Sequence, residues 1–282
     1  MSKDKIPADL IVPEAWEKLY KPEYPKVRIT KPVKKDKYFI SICTNVMDRV
    51  EDLKQTYIRN IEDTLATYSN VEFVLLNYGN TDHVNSWVFH NLMEYIKEGI
   101  LNYYSFAKHP PRYYSMTHSR NVAFLCAQGD IVNQVDADHY INQGFAAKIN
   151  EIAQQYDHDK LIFCKSKRKN RGRLGFFYDR FIELGGYDEG IKGYGYDDKD
   201  LLVRAYHSGF IPVRFSGDYC TLVEDHKRHV GTRYENMDWK YTQRLNAYRS
   251  LLNVKVGWYV ANKGKEWGKA SLIKNFHELV ET

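Results

Sequence analysis

The run GDIVNQVDADHYI, residues 129–141, begins as a strand and ends as something else. As far as Val135 it has the mixed apolar character of a segment buried in a sheet. It then delivers Asp136 and Asp138 one residue apart, with His139 directly behind them. Side chains alternate along a strand, so both aspartates share one side, Ala137 points away, and their oxygens converge. Two like charges at that spacing need a cation. A hard divalent ion such as Mn²⁺ or Mg²⁺ suits carboxylate oxygen and keeps positions open for substrate phosphate. A solvated turn capped by aspartates carries the same pattern, so the flanking sequence has to decide. If the strand continued, His139 would point away from both aspartates, as a supporting neighbour of the pair.

Upstream, the chain alternates strand and helix. YFISICT (38–44) reads as a buried strand, and residues 47–68 place Val50, Leu53, Tyr57, Ile61 and Leu65 on one helical face. VEFVLL (71–76) is a second strand, a helix runs from the NYGNTD loop (77–82) to about Lys97, and ILNYYSF (100–106) is a third strand. Ser115 or Thr117 caps a helix through Ala127, which Gly129 ends. This order implies a Rossmann-like, mostly parallel α/β sheet with right-handed crossovers. In such sheets ligands bind beyond the carboxyl ends of the strands, where Asp136 and Asp138 stand. Downstream come a helix near 142–156, a strand at 161–164, a glycine-rich segment, and a helix over 236–252 leading into an amphipathic tail. The expected organisation is one main domain over 38–252, an extended proline-containing arm over 1–37 and a C-terminal helical tail over 253–282.

The 282 residues suffice for a sizeable core, and 43% hydrophobic with 27% charged residues is ordinary for a globular chain. No window approaches 18 uninterrupted apolar residues, and MSKDKIPADL lacks the apolar core of a signal peptide, so a cytoplasmic protein is expected. Cys43, Cys126, Cys164 and Cys220 are widely spaced with no C-x-x-C pair, which points to buried free thiols. The net charge of +5 suits an anionic substrate, a phosphate-bearing lipid surface or nucleic acid. The basic residues gather in KPVKKDK (31–37) and KSKRKNRGR (165–173), patterns that solvated loops also show.

Four segments between about 38 and 252 resemble the GT-A glycosyltransferases, whose D-x-D motif ends a strand of a nucleotide-binding sheet. SICTNVMDR (41–49) is similar to the opening strand and loop of family 2 enzymes, which implies that Thr44 and Arg49 border the nucleotide. VEFVLLNYGNTD (71–82) is similar to the next strand and loop, but Asn77 stands where the family has a uracil-contacting aspartate; an amide pairs with a uracil edge through its own donor and acceptor. HSRNVAFLCAQGDIVNQVDAD (118–138) resembles A-R-N-x-G…A-x-G-D…D-x-D and puts Arg120 near the diphosphate or base. GGYDEGIKGYGYDDKDLLVRAYHSGF (185–210) looks like the segment shared by the galactosyltransferases and the polypeptide N-acetylgalactosaminyltransferases. There Gly186 and Gly195 would let backbone approach the sugar, and Tyr187, Tyr194 and Tyr196 would pack on its C–H face.

The resemblance implies a metal-dependent enzyme that moves a hexose or N-acetylhexosamine from a UDP-sugar to an acceptor hydroxyl, with inversion. Donor contacts would come from Thr44, Arg49, Asn77, Arg120, Asp136, Gly186, Tyr194 and Gly195. Asp198 would be the base, Asp197 would hold sugar hydroxyls, and Mn²⁺ or Mg²⁺ would sit on Asp136, Asp138 and a downstream histidine, His226 ahead of His229. Residues 165–180 would close over the donor or, equally, make the acceptor's anionic contact. The acceptor is open among a glycan, a lipid-linked glycan, a protein and DNA. Two other readings compete: a nucleotide-sugar nucleotidyltransferase, against which SICTNVMDR offers no glycine-rich phosphate loop, and a non-catalytic basic module binding glycan or nucleic acid.

Overall fold

The computed structural model describes residues 34–157, 159–165, 173–215, 219–223 and 233–282. The arm over 1–33, the core of the basic loop, and both His226 and His229 lie outside the described residues.

Strand β1 (Ile40–Val46) lies near the middle of a nine-stranded sheet, with β2 (Val71–Asn77) on one side and β4 (Ile131–Gln134) on the other, both parallel to it. Beyond β2 comes β3 (Leu101–Phe106), again parallel. Beyond β4 the direction alternates: β7 (Leu174–Phe177) is antiparallel to β4 and to β6 (Leu161–Lys165), and β8 (Ile211–Phe215) runs parallel to β6. A separate antiparallel pair joins β5 (His139–Ile141) to β9 (Cys220–Leu222).

The central strands read as near-continuous apolar runs because both faces are covered. In β2 the period of two is visible in the packing. Val71, Phe73 and Leu75 join a core with α1 (Val50–Leu65), α2 (Asp82–Asn91) and α5 (Phe145–Gln155), while Val74 and Leu76 join the opposite core. That second core is completed by α4 (Met116–Leu125), α6 (Tyr178–Glu183) and α7 (Asp197–His207). Leu53, Tyr57 and Ile61 of α1 are buried as their spacing predicts, and Ser115 caps α4 by accepting from the His118 N–H. The helix expected through Lys97 is broken at Leu92, where α2 gives way to the short α3 (Met93–Lys97).

The C-terminal helical tail is corrected. Helix α8 (Trp239–Lys255) ends the helical part, and the chain returns to the sheet as the hairpin β10 (Ser271–Lys274) and β11 (Glu278–Glu281). β10 pairs antiparallel with β3, closing an edge that would otherwise offer unpaired backbone groups. Two four-residue strands are too short to declare themselves by alternation. Their turn forces Asn275 and Phe276 into positive φ, a conformation that residue type does not announce at phenylalanine. Among the described residues, no helix is long and apolar enough to cross a membrane.

Candidate active site

Three ties carry the chain out of β4 and fix the aspartates. The Val135 N–H donates to Cys43 O, the Thr44 hydroxyl donates to Val135 O at 2.9 Å, and the Thr56 hydroxyl of α1 donates to Ala137 O at 2.6 Å. The strand then turns, closed by the His139 N–H on Asp136 O. This turn corrects the placement of His139. The strand does not continue, so the ring swings toward the aspartates, with Nδ1 2.6 Å from Asp138 Oδ1. Asn60 of α1 secures the far side, donating to His139 O and accepting from the Ile141 N–H. Carboxylate oxygens of Asp136 and Asp138 and a ring nitrogen of His139 come within 4.8 Å of one another.

These residues fit a divalent cation. His139 is buried, its Nδ1 is occupied by Asp138 at 2.6 Å, and its Nε2 has no partner. Buried polar atoms without partners are costly unless something else satisfies them, and imidazole with two carboxylates is a donor set for Mn²⁺. Burial works to raise both carboxyls and is outweighed. Arg120, Arg173 and His139 hold Asp136 below its ordinary value, and His139, Arg49 and Arg173 hold Asp138 well below. Arg49 stands 3.2 Å from Asp138 and also grips Asp52.

Arg120, on the buried face of α4, joins this pair to a second one. Its guanidinium reaches Asp136 at 3.3 Å, Asp198 at 2.6 Å and Asp197 more closely still, and its charged carbon lies 5.5 Å from the centre of the Tyr187 ring. A fully buried guanidinium is tolerable only with such compensation. Asp197 and Asp198 open α7 directly after Gly195 and Tyr196, both at positive φ, so the backbone reverses sharply and both carboxylates are delivered inward. Burial raises Asp198 to about 7; Arg120 opposes the rise, and the neighbouring charges of Asp197 and Asp136 reinforce it. Asp197 is raised for the same leading reason, burial against Arg120.

The glycine-rich segment before α7 divides in two. Gly195 is near open space, its nearest neighbour to an added Cβ being Gln243 at 3.5 Å. Gly186 and Tyr187, expected on a sugar, are instead structural: Tyr187 is fully buried, and a Cβ on Gly186 would lie 2.6 Å from both Asn121 Oδ1 and the Trp267 ring. Asn121 pairs with both the N–H and the carbonyl of Tyr187, so the Arg–Asn dipeptide sends one side chain to the carboxylates and the next to the scaffold. Thr242 and Asn246 of α8 donate to the carbonyls of Tyr194 and Gly195. Tyr194 packs edge-on to Tyr234 and Trp239, and the Tyr196 ring lies beneath Lys199.

Asn77 is buried at the end of β2, donating to Thr81 O, Asn85 and the Tyr103 hydroxyl. Thr44 spends its hydroxyl on Val135. The structure thus brings together Arg49, Arg120, Asp136, Asp138, Asp197 and Asp198, while Thr44 and Asn77 brace the loops around them. Arg173 was grouped in sequence with the basic loop. It is buried, two of its guanidinium nitrogens have no partner, and its charge bears on Asp136, Asp138 and Asp198. Gln134, which reaches Asn45 and Asp136, was also missed; a buried glutamine ending a strand was its only sequence signal.

Residues 165–227 match the family model described as the N-terminal domain of galactosyltransferase. The chain also superposes on a mannosyltransferase of Pyrobaculum calidifontis, PcManGT, solved with GDP-Man and Mn²⁺: TM-score 0.55, 15% identity, covering 88% of this chain and 77% of that one. The fold is that of the GT-A glycosyltransferases. S. aureus TarS residues 1–349 with UDP-GlcNAc give a TM-score of 0.57 at 17% identity, over 76% of this chain and 66% of that one. GalNAc-T7 with UDP, GalNAc and Mn²⁺ gives 0.51 at 13% identity, over 64% of this chain and 43% of that one. The chain thus spans less than two thirds of the length of these last two. No curated protein matches the sequence significantly.

Proposed function

We propose that this chain transfers a hexose or N-acetylhexosamine from a UDP-sugar to an acceptor hydroxyl with inversion at the anomeric carbon. The observation that carries this reading is the Arg120 fork, which joins the Asp136/Asp138/His139 cluster to Asp198, a part-buried carboxyl raised to about 7. Asp136, Asp138 and His139 would hold Mn²⁺ or Mg²⁺, with His226 a further candidate outside the described residues. When bound, the ion supplies Lewis-acid stabilisation of the diphosphate leaving group.

The chain's own residues do the rest. Asp198 takes the proton of the acceptor hydroxyl as its oxygen bonds the anomeric carbon from the face opposite the breaking bond to phosphate, and UDP departs with that electron pair. A base poised near neutral pH suits this step. Asp197 accepts from sugar hydroxyls, Arg120 fixes both carboxylates, and Arg173 donates its unpartnered N–H groups to the diphosphate. The ligands of TarS and GalNAc-T7 favour uridine nucleotides, while that of PcManGT makes GDP-mannose the comparison donor. A glycan, a lipid-linked glycan, a protein or DNA could supply the hydroxyl.

The test is UDP release from a panel of UDP-sugars with and without Mn²⁺, with NMR assignment of the product anomer. Mn²⁺-dependent release abolished in Asp138→Ala, with an inverted product, supports the reading. A retained anomer removes Asp198 as the base. Failure of every donor to react or to raise the melting temperature removes the transferase reading.

A further inference from the structure

Helix α8 is inside out. Its buried residues are Thr242, Asn246, Ser250 and Val254, three of them polar, and the first two are spent on backbone carbonyls of residues 192–195. Its solvent face carries Tyr241, Leu245 and Leu252, which at 3.6 residues per turn line up in one stripe. Past the helix end Val256, Trp258 and Val260 are exposed as well, to 60%, 68% and 45%. Most of the large apolar side chains exposed among the described residues fall between Met237 and Val260. Scattered exposed hydrophobics need no explanation, but their concentration in one segment whose helix has a polar inner face does.

The charges around the stripe say what covers it. Residues 237–266 contain Lys240, Arg244, Arg249, Lys255, Lys263 and Lys265 against Asp238 and Glu266 at the two ends, an excess of four positive charges. Arg249 is committed to Asp188, and the other five are exposed cations interleaved in sequence with the apolar residues or directly following them. A second copy of this chain would bring the same cations against these, a repulsive pairing across a two-fold contact. Nucleic acid would use the cations and leave Leu245, Leu252, Val256 and Val260 without a partner. An anionic lipid surface uses both: phosphates meet the Lys and Arg heads, while the aliphatic side chains and the Trp258 indole enter the headgroup boundary.

We infer that α8 and the segment through Lys265 form a peripheral docking surface for an anionic phospholipid membrane. The helix lies flat on the bilayer, and through Thr242 and Asn246 it is bonded to the loop that precedes Asp197. The surface does not depend on the transferase reading.

The experiment is co-sedimentation of the full chain with phosphatidylcholine vesicles containing or lacking phosphatidylglycerol, alongside Trp258→Glu, Leu252→Glu and the pair Lys255→Glu with Lys263→Glu. Binding to the anionic vesicles and not to phosphatidylcholine alone is expected. Each cation near the surface is worth about 1 kcal/mol, so each lysine reversal should weaken binding by roughly fivefold or more. Trp258→Glu or Leu252→Glu should weaken it about tenfold with the melting temperature unchanged, because both side chains are exposed. Trp258→Phe should remove a blue shift of tryptophan emission on binding. Three results overturn the inference: no sedimentation with anionic vesicles at low salt; sedimentation indifferent to Trp258→Glu and Leu252→Glu; or concentration-dependent dimerisation that those two variants abolish.

Discussion

Asp136 with Asp138, and Asp197 with Asp198, are two aspartate pairs joined through Asp136 by one buried arginine, and they are pushed in opposite directions. Burial raises all four. At the first pair the pull of Arg120, Arg49, Arg173 and His139 outweighs burial; at the second, Arg120, joined at Asp198 by Arg173, is outweighed by burial together with the mutual repulsion of Asp136, Asp197 and Asp198. The balance of attracting and repelling charges around each pair, rather than residue type, pushes one pair below the ordinary carboxylate value and the other above it. Divergent environments for like groups are the pattern by which acid–base roles are assigned. The strand-end pair suits a resident cation, and the helix-head pair suits proton transfer.

The largest effect tests that division. Asp198→Asn keeps the size and the acceptor for Arg120 and removes the base, so kcat should fall by about 10²–10⁴ with donor KM little changed. An equal loss in KM would make Asp198 a binding group and break the contrast. Arg120→Met removes the shared cation and leaves three carboxylates without their partner. Breaking a buried pair from one side costs about 3–5 kcal/mol, to be read as a lowered melting temperature in the absence of metal. Added Mn²⁺ should restore part of that loss. An unchanged melting temperature would show that the carboxylates do not depend on Arg120.

The helix-head half was more legible in sequence as a motif than as a set of roles. Glycines and tyrosines in GGYDEGIKGYGYDD mark tight backbone and aromatic packing, but nothing local says whether the packing partner is a sugar or the protein. The partners of Gly186 and Tyr187 are Asn121 and Trp267, 65 to 81 positions away, and such long-range contacts leave no trace in spacing. The strand-end half was the reverse. Asp136 and Asp138 do lie together, but not through period two: the strand ends at Gln134, and the turn closed by Asp136 O, a backbone event, carries both Asp138 and His139 round to Asp136. The central strands and α1 were plain because their periodicity is long and uninterrupted. The β10–β11 hairpin was hidden because four-residue strands carry too little period to count.

Gly186→Ala separates the two readings of the glycines. The residue sits at φ +65° with two atoms 2.6 Å from an added Cβ, so overpacking should cost about 1–3 kcal/mol and lower the melting temperature. Gly195→Ala, at φ +87° with nothing nearer than 3.5 Å, should cost only the left-handed backbone, about 1 kcal/mol. If Gly186→Ala instead raised donor KM with stability intact, that glycine would belong to the sugar site after all.

The pH dependence gives the smallest effect and the closest test. With Asp198 raised to about 7, the base is protonated below neutrality, so kcat/KM should fall about tenfold per pH unit on the acid side and level off above. Stability carries the opposite sign. A carboxyl raised above its ordinary 3.8 holds its proton in the folded chain and not in the unfolded one. Its stabilising contribution is therefore full below 3.8 and is lost as pH rises through about 7. Without metal, the melting temperature should drop between about pH 4 and about pH 7 and level off above, over the interval in which activity climbs. Asp198→Asn should flatten that drop. The strand-end pair, held below its ordinary value, contributes above 3.8 and loses that contribution only as pH falls further, so acid unfolding should persist in the variant. Loss of both limbs in Asp198→Asn would mean that the four aspartates titrate as one unit and that the opposition between the pairs does not exist.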